Sequence, residues 1–111
     1  MSRAIFVQDG GAVDYTPTAD VTAGDVIVQG DLVAVAKLDI KAGKLGSLAV
    51  EGVFDFPKAT GTGTALAVGT VVYWNNTTKV ATSSATGNKL LGKVVRAASD
   101  SDAKVRVRLS Q

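Results

Sequence analysis

The sequence predicts an all-β fold: a compact single-domain β-barrel or sandwich of short antiparallel strands, with an extended N-terminal arm. Three observations carry that prediction. Apolar and polar residues alternate in several short runs, most clearly where Val105, Val107 and Leu109 interleave with Lys104, Arg106 and Arg108. Turn residues interrupt the chain at intervals of roughly eight to twelve residues, the spacing of a small barrel or sandwich. No longer stretch shows a 3.6-residue apolar period bounded by caps, so helix is a minor component at most.

Taken in order, residues 1–8 read as an arm, with weak alternation from Arg3 to Gln8. Asp9-Gly10-Gly11 supplies the positive-φ positions of a tight turn, and Ala12 to Thr16 returns as a hairpin partner that Pro17 ends. Val26 to Gln29 is a strand, Gly30-Asp31 a turn, and Leu32 to Ala36 a strand apolar on both faces. Such a strand is either enclosed in a core or set against another chain. Leu48 to Lys58 reads as one central strand. Leu48, Val50, Phe54 and Phe56 fall on one side and Glu51 and Asp55 on the other, Gly52 marks a bulge or close approach, and pairing ends at Pro57, which has no N–H to donate. Ala59 to Ala65 is a small-residue loop. Val71 to Trp74 and Lys79 to Thr82 form a hairpin around Asn75-Asn76, and Leu90 to Ala98 pairs with Ala103 to Leu109 around Ser99–Asp102. A faint echo links Gly24-Asp25-Val26-Ile27 to Gly69-Thr70-Val71-Val72, as if two similar hairpins occupied related places.

The 111 residues fit one domain, 1–111, long enough to bury about two-thirds of its unfolded surface. With no Cys, neither disulfides nor thiolate metal sites are available, and with no His the commonest metal ligand and general base are missing. The N-terminus lacks the apolar run of a signal peptide and no segment approaches a membrane span, so a soluble protein made in the cytoplasm is expected. Charge is uneven: residues 1–56 carry eight acids and four bases (−4), residues 57–111 two acids and eight bases (+6). That split predicts a polarised surface able to orient the protein on a partner.

Motifs for chemistry are scarce. No Ser-x-x-Lys lies in a helical context, Gly61-Thr62-Gly63 lacks the Lys and following helix of a phosphate loop, and Asp100-Ser101-Asp102 lacks the Gly and distal Glu of a calcium loop. No catalytic residue, cofactor or metal is expected. The basic strand could serve a nucleic-acid binder, but residues 89–109 hold no aromatic platform between the charges. Ala23-Gly24-Asp25-Val26, then Gly30-Asp31-Leu32-Val33-Ala34-Val35 and Leu38-Asp39-Ile40-Lys41-Ala42, looks like the biotinyl/lipoyl carrier pattern. That resemblance covers about twenty residues, and it implies a modified Lys41 on a sharp exposed turn.

A longer resemblance spans nearly the whole chain. Ala49-Val50-Glu51-Gly52-Val53-Phe54-Asp55-Phe56-Pro57-Lys58, then Val68-Gly69-Thr70-Val71-Val72-Tyr73-Trp74, Gly87-Asn88-Lys89-Leu90-Leu91-Gly92-Lys93-Val94, and Val105-Arg106-Val107-Arg108-Leu109 occur in order and spacing. The set resembles the small phage capsid cement or decoration proteins grouped as the DUF2190 family; Thr70 departs from it where an acid is more usual. The resemblance implies a structural, non-enzymatic protein on the outer surface of an expanded phage head, made in the host bacterial cytoplasm. It implies a partner in the major capsid protein, association as a homotrimer, and no direct contact with membrane or nucleic acid. On that reading the expected capsid contacts are Arg3, Ile5 and Phe6 of the arm and Lys104, Arg106 and Arg108 of the basic strand. The expected subunit contacts are Phe54, Tyr73 and Trp74, and trimerisation would bury the doubly apolar strands Leu32 to Ala36 and Leu90 to Ala97.

Overall fold

The computed structural model describes residues 4–5 and 10–110. They form nine strands and no helix: β1 (Ala12–Tyr15), β2 (Val26–Gln29), β3 (Leu32–Ala36), β4 (Gly46–Ala49), β5 (Gly52–Pro57), β6 (Val71–Asn75), β7 (Val80–Thr82), β8 (Lys89–Arg96) and β9 (Lys104–Leu109). Two antiparallel sheets result, one in the order β1-β4-β3-β2 and one in the order β5-β9-β8-β6-β7. The all-β expectation holds, as an unclosed sandwich of two packed sheets. An isolated parallel bridge from Lys58 to Ala81 brings β7, at one edge of the second sheet, beside the end of β5 at the other.

The stretch from Leu48 to Lys58 is not one strand. Ala49 ends β4 in the first sheet, Gly52 begins β5 in the second, and the chain passes between them through Gly52 at φ 124°, a conformation L side chains rarely adopt. The alternation misled because period 2 reports which residues share a face and says nothing about which sheet the face belongs to. Leu48 and Phe56 are both fully buried, as their phase predicted, but in different clusters. β5 ends at Pro57, but pairing runs one residue past the expected stop: the Lys58 N–H bonds to the Ala103 carbonyl at 2.8 Å, and Lys58 bridges to Ala81 on the other side.

The larger cluster lies between the sheets. It gathers Val33 and Val35 of β3 with Phe56, Leu66, Val72, Trp74, Leu91, Val94, Val105, Val107 and Leu109, and Val26, Val28 and Phe54 pack against it. The smaller cluster holds the opposite face of the first sheet: Ala34, Ala36 and Leu48 under Val21 and Ile40, flanked by Val13, Tyr15, Ile27 and Val50. The doubly apolar β3 is thus enclosed on both faces by its own chain, so no trimer contact is needed to cover it. β8 differs: Leu91, Gly92 and Val94 are buried, while Leu90 and Val95 remain 40% and 41% exposed.

β2 and β3 turn over Gly30-Asp31, with Gly30 at φ 60° in the first loop position, as a two-residue type II′ loop requires. β1 pairs with β4; the hairpin partner expected for it, Arg3 to Gln8, lies almost wholly outside the described residues. At the β6–β7 turn the Asn75 side chain accepts the Thr77 and Thr78 N–H groups, both at 3.0 Å, which holds the loop while Lys79 takes up φ 59°.

The echo between residues 24–27 and 69–72 is a shared device. In each sheet a turn over a positive-φ glycine (Gly24, 95°; Gly69, 87°) is closed by an N–H to carbonyl bond, Asp25 to Thr22 at 3.0 Å and Thr70 to Ala67 at 3.2 Å. The glycine N–H then bonds to a neighbouring strand, Gly24 to the Ala36 carbonyl at 2.6 Å and Gly69 to the Val94 carbonyl at 2.8 Å. Ala36 and Val94 bond back to the carbonyls of Asp25 and Thr70, and an isolated antiparallel bridge precedes each turn, Val21 to Ile40 and Leu66 to Ala98. The counterpart of β3 is therefore β8, not β7 as the sequence echo suggested.

Candidate functional site

The charge split between the halves of the sequence becomes a split between the sheets. Residues 10–51, which build the first sheet, carry six acids and three bases; residues 52–110, which build the second, carry three acids and eight bases. Five of those bases, Lys93, Arg96, Lys104, Arg106 and Arg108, stand on the side of the second sheet that faces away from the core.

Strand alternation puts them there. Val105, Val107 and Leu109 of β9 point into the core, which obliges Lys104, Arg106 and Arg108 to point out. Register then aligns β9 with its neighbours. Val53 of β5, Arg108 of β9, Lys93 of β8 and Val71 of β6 form one row across four strands, and Asp55, Arg106 and Arg96 form the next. Register shifts interrupt β8 twice, once beside Val72 and Tyr73 and once between Val94 and Arg96, and beside the second both Val95 and Arg96 are exposed. Exposed Val53, Val71, Leu90 and Val95 lie among the cations, with half-buried Tyr73 paired to Leu90.

Arg106 is neutralised in place. Its Nε donates to Asp55 Oδ1 at 2.9 Å and its Nη2 to Oδ2 at 3.3 Å. That hydrogen bonding, helped by the charges of Arg106, Lys104 and Arg96 and opposed by partial burial, holds the Asp55 carboxyl below its ordinary value of 3.8 and raises Arg106. Lys93 and Arg108 sit directly opposite each other and have no ion pair among the described residues. Between them and Val71, Leu90, Gly92 and Ser110 is a hollow of about 240 Å³. Gly92 forms its floor, where a Cβ would collide with the Arg108 carbonyl, so the two strands approach this closely only with glycine there.

The residues expected for subunit contact divide. Trp74 is 2% exposed and lies inside the chain, tilted against Phe56 at 6.0 Å between centroids, with its Nε1 donating to Asn76 Oδ1 at 3.2 Å. Phe54 packs edge-on to Phe56 at 6.1 Å at the margin of the same core. Tyr73 faces outward. Of the arm residues expected at the capsid, Ile5 is 84% exposed, whereas Arg3 and Phe6 lie outside the described residues.

Elsewhere the polar groups are structural. Lys58 is 5% exposed, and its Nζ donates to the Ala59 carbonyl at 2.7 Å and to Thr64 Oγ1 at 3.1 Å. The Thr64 hydroxyl reaches the Gly61 and Asp100 carbonyls at 2.6 and 3.1 Å, and Asp100 Oδ1 accepts the Ala65 N–H at 2.8 Å, so the loop 59–65 is tied down. Sequence reasoning gave Lys58 no role; a lysine directly after the strand-ending Pro57 carried no burial signal. Asp102 accepts the Ser99 N–H, a turn bond that lowers its carboxyl, and no cluster of three metal-ligating side chains occurs among the described residues. Lys41 opens an exposed β-turn in the loop 37–45, closed by the Lys44 N–H on the Lys41 carbonyl at 3.0 Å with Gly43 at φ 76°, and its Nζ lies 3.7 Å from Asp20.

The model of the family described as phage cement protein matches residues 7–109. The chain belongs to the phage cement protein family. The match bears out the cement resemblance drawn from residues 49–109, and membership makes this a structural component associated with a phage capsid. No curated protein and no solved structure matches the chain. The outer face of the first sheet lies under Val21 and Ile40, whereas the basic and aliphatic outer face of the second sheet is open among the described residues.

Proposed function

We propose that this cement protein binds the outer surface of an expanded phage head as a homotrimer, contacts the major capsid protein, and stabilises the shell. The narrower grouping with the DUF2190 proteins is part of the same proposal. The observation that carries it is the outer face of the second sheet, where, among the described residues, five cations and four exposed aliphatic side chains stand against one acid, Asp55, already engaged by Arg106. A free-standing domain gains nothing from such a face, whereas an acidic protein lattice gives it an electrostatic match and apolar area to bury. Three weak contacts per trimer would add as avidity, which is how a protein of 11.3 kDa could hold a shell. Within the proposal, the arm (Arg3, Ile5, Phe6) and the strand Lys104, Arg106 and Arg108 meet the capsid. Tyr73 is the aromatic left free for a subunit contact, with Phe54 at its margin.

Co-sedimentation with heads of the phage that encodes the chain tests the proposal. Saturable binding to expanded heads and none to unexpanded ones is expected, with a higher temperature of head disruption once the sites are filled. Expanded heads that fail to recruit the protein would overturn it. Light scattering on the purified protein and on the occupied heads reads the trimer.

A further inference from the structure

We infer that Lys93 and Arg108, with the hollow between Val71 and Leu90, form a binding site for a carboxylate-bearing segment of the capsid surface: an Asp or Glu side chain next to an aliphatic one. The inference rests on the proposed function and names the contact within it.

The argument begins with a cost that folding does not explain. Lys93 and Arg108 are register partners on adjacent antiparallel strands, and like charges directly opposite destabilise a sheet. The next row solves the same problem with Asp55, which takes both arms of Arg106. In the Lys93–Arg108 row the flanking positions are Val53 and Val71, both exposed, so the chain supplies aliphatic surface where an acid would quench the charge. Two uncompensated cations with apolar flanks match a partner that brings both a carboxylate and a methyl-bearing side chain. The carboxylate would take the guanidinium fork and the ammonium together, and the aliphatic group would enter the 240 Å³ hollow over Gly92.

A second copy of the chain is the poorer occupant. Of the six acids carried by residues 10–51, four are already engaged: Asp20 with the Ala42 N–H and Lys41, Asp25 with the Thr22 N–H, Asp31 with Lys89, and Asp39 with the Ala23 N–H. DNA would be met by charge alone, and the exposed Val53, Val71 and Leu90 beside the pair offer it nothing to read.

The test measures affinity for expanded heads with the full-length wild type, the double variant Lys93→Gln/Arg108→Gln, and Lys44→Ala, an exposed cation of the loop before β4. Glutamine keeps most of each side-chain stem, and folding is checked by circular dichroism and thermal melting. The double variant is expected to stay folded, keep the wild-type oligomeric state, and lose about tenfold or more in affinity, while Lys44→Ala binds as wild type. A double variant that binds heads as tightly as wild type overturns the inference and leaves the proposed function standing. Wild type that does not bind heads overturns the proposed function itself. A changed oligomeric state in the double variant would assign the pair to a subunit contact. Salt-sensitive binding of wild type to duplex DNA, lost in the double variant, would assign it to nucleic acid. Either result also overturns the inference.

Discussion

β3 and β8 are built alike and end differently. Each carries apolar residues on both faces and is held by a glycine turn, Gly24 on Ala36 and Gly69 on Val94, with the same reciprocal backbone bonds. In the first sheet the residues before that turn and after β3 fold back, so Val21 and Ile40 cover the face that carries Ala34, Ala36 and Leu48. In the second sheet the equivalent bridge, Leu66 to Ala98, joins the main core, and the other face of β8 keeps Leu90 and Val95 in solvent beside five cations. An apolar strand is therefore no guide to an interface until it is known whether its own chain supplies a lid. Among the described residues one of the two has one.

The sharpest way to break this comparison is to remove leucine on each side. Leu48→Ala empties a fully enclosed site and should cost about 2–5 kcal/mol in denaturant unfolding. Leu90→Ala should cost about 1 kcal/mol, because that side chain is 40% exposed already, and should show its larger effect in weakened head binding. Equal costs for the two would mean that the outer face of β8 is not open. Gly92→Ala is expected to destabilise by about 3 kcal/mol or more, since the new methyl meets the Arg108 backbone rather than a movable side chain; a Tm near wild type would sink the close strand approach at the floor of the hollow. Lys93→Gln on its own should stabilise the free protein by a few tenths to about 1 kcal/mol by relieving the charge opposition to Arg108. Loss of stability instead would show that the pair is compensated within the chain.

The smallest effect concerns acid. Lys89 donates to Asp31 at 2.7 Å, linking the second sheet to the β2–β3 turn of the first, and this hydrogen bond holds the Asp31 carboxyl below 3.8; Arg106 does the same for Asp55 within one sheet. A carboxyl lowered in the folded state contributes stability that is present above its unfolded value and lost as pH falls through the folded one. The Tm should therefore fall as pH drops below about 4, and Asp31→Asn and Asp55→Asn should each flatten that fall slightly, both groups being exposed and solvent-screened. A wild-type Tm indifferent to pH across that range would show that neither pair stabilises the fold.

Much of this was legible in the residues. The alternation in Lys104–Leu109 fixed which side chains face the core, and the mid-chain Phe56 was correctly read as buried. The ordered phrases from Ala49 to Leu109 point to cement proteins, and the family match covers them. The candidate site was half legible. Arg106 and Arg108 could be picked from β9 alone, but that Asp55 quenches the first and Lys93 opposes the second depends on register between strands far apart in sequence. Trp74 is buried in the core, a place the sequence leaves open because an aromatic in a β-branched run looks the same whether it faces a core or a partner.

What the sequence determined by itself is local: strand periodicity, the turns at Gly30 and Asn75, and the acidic and basic halves. What only tertiary structure decided is pairing. It broke the stretch from Leu48 to Lys58 between two sheets, gave β3 a lid while Leu90 and Val95 of β8 stayed exposed, and set Lys93 against Arg108. The physical reason is that alternation is a property of one strand, whereas its neighbours and its cover come from backbone hydrogen bonds and packing between distant segments.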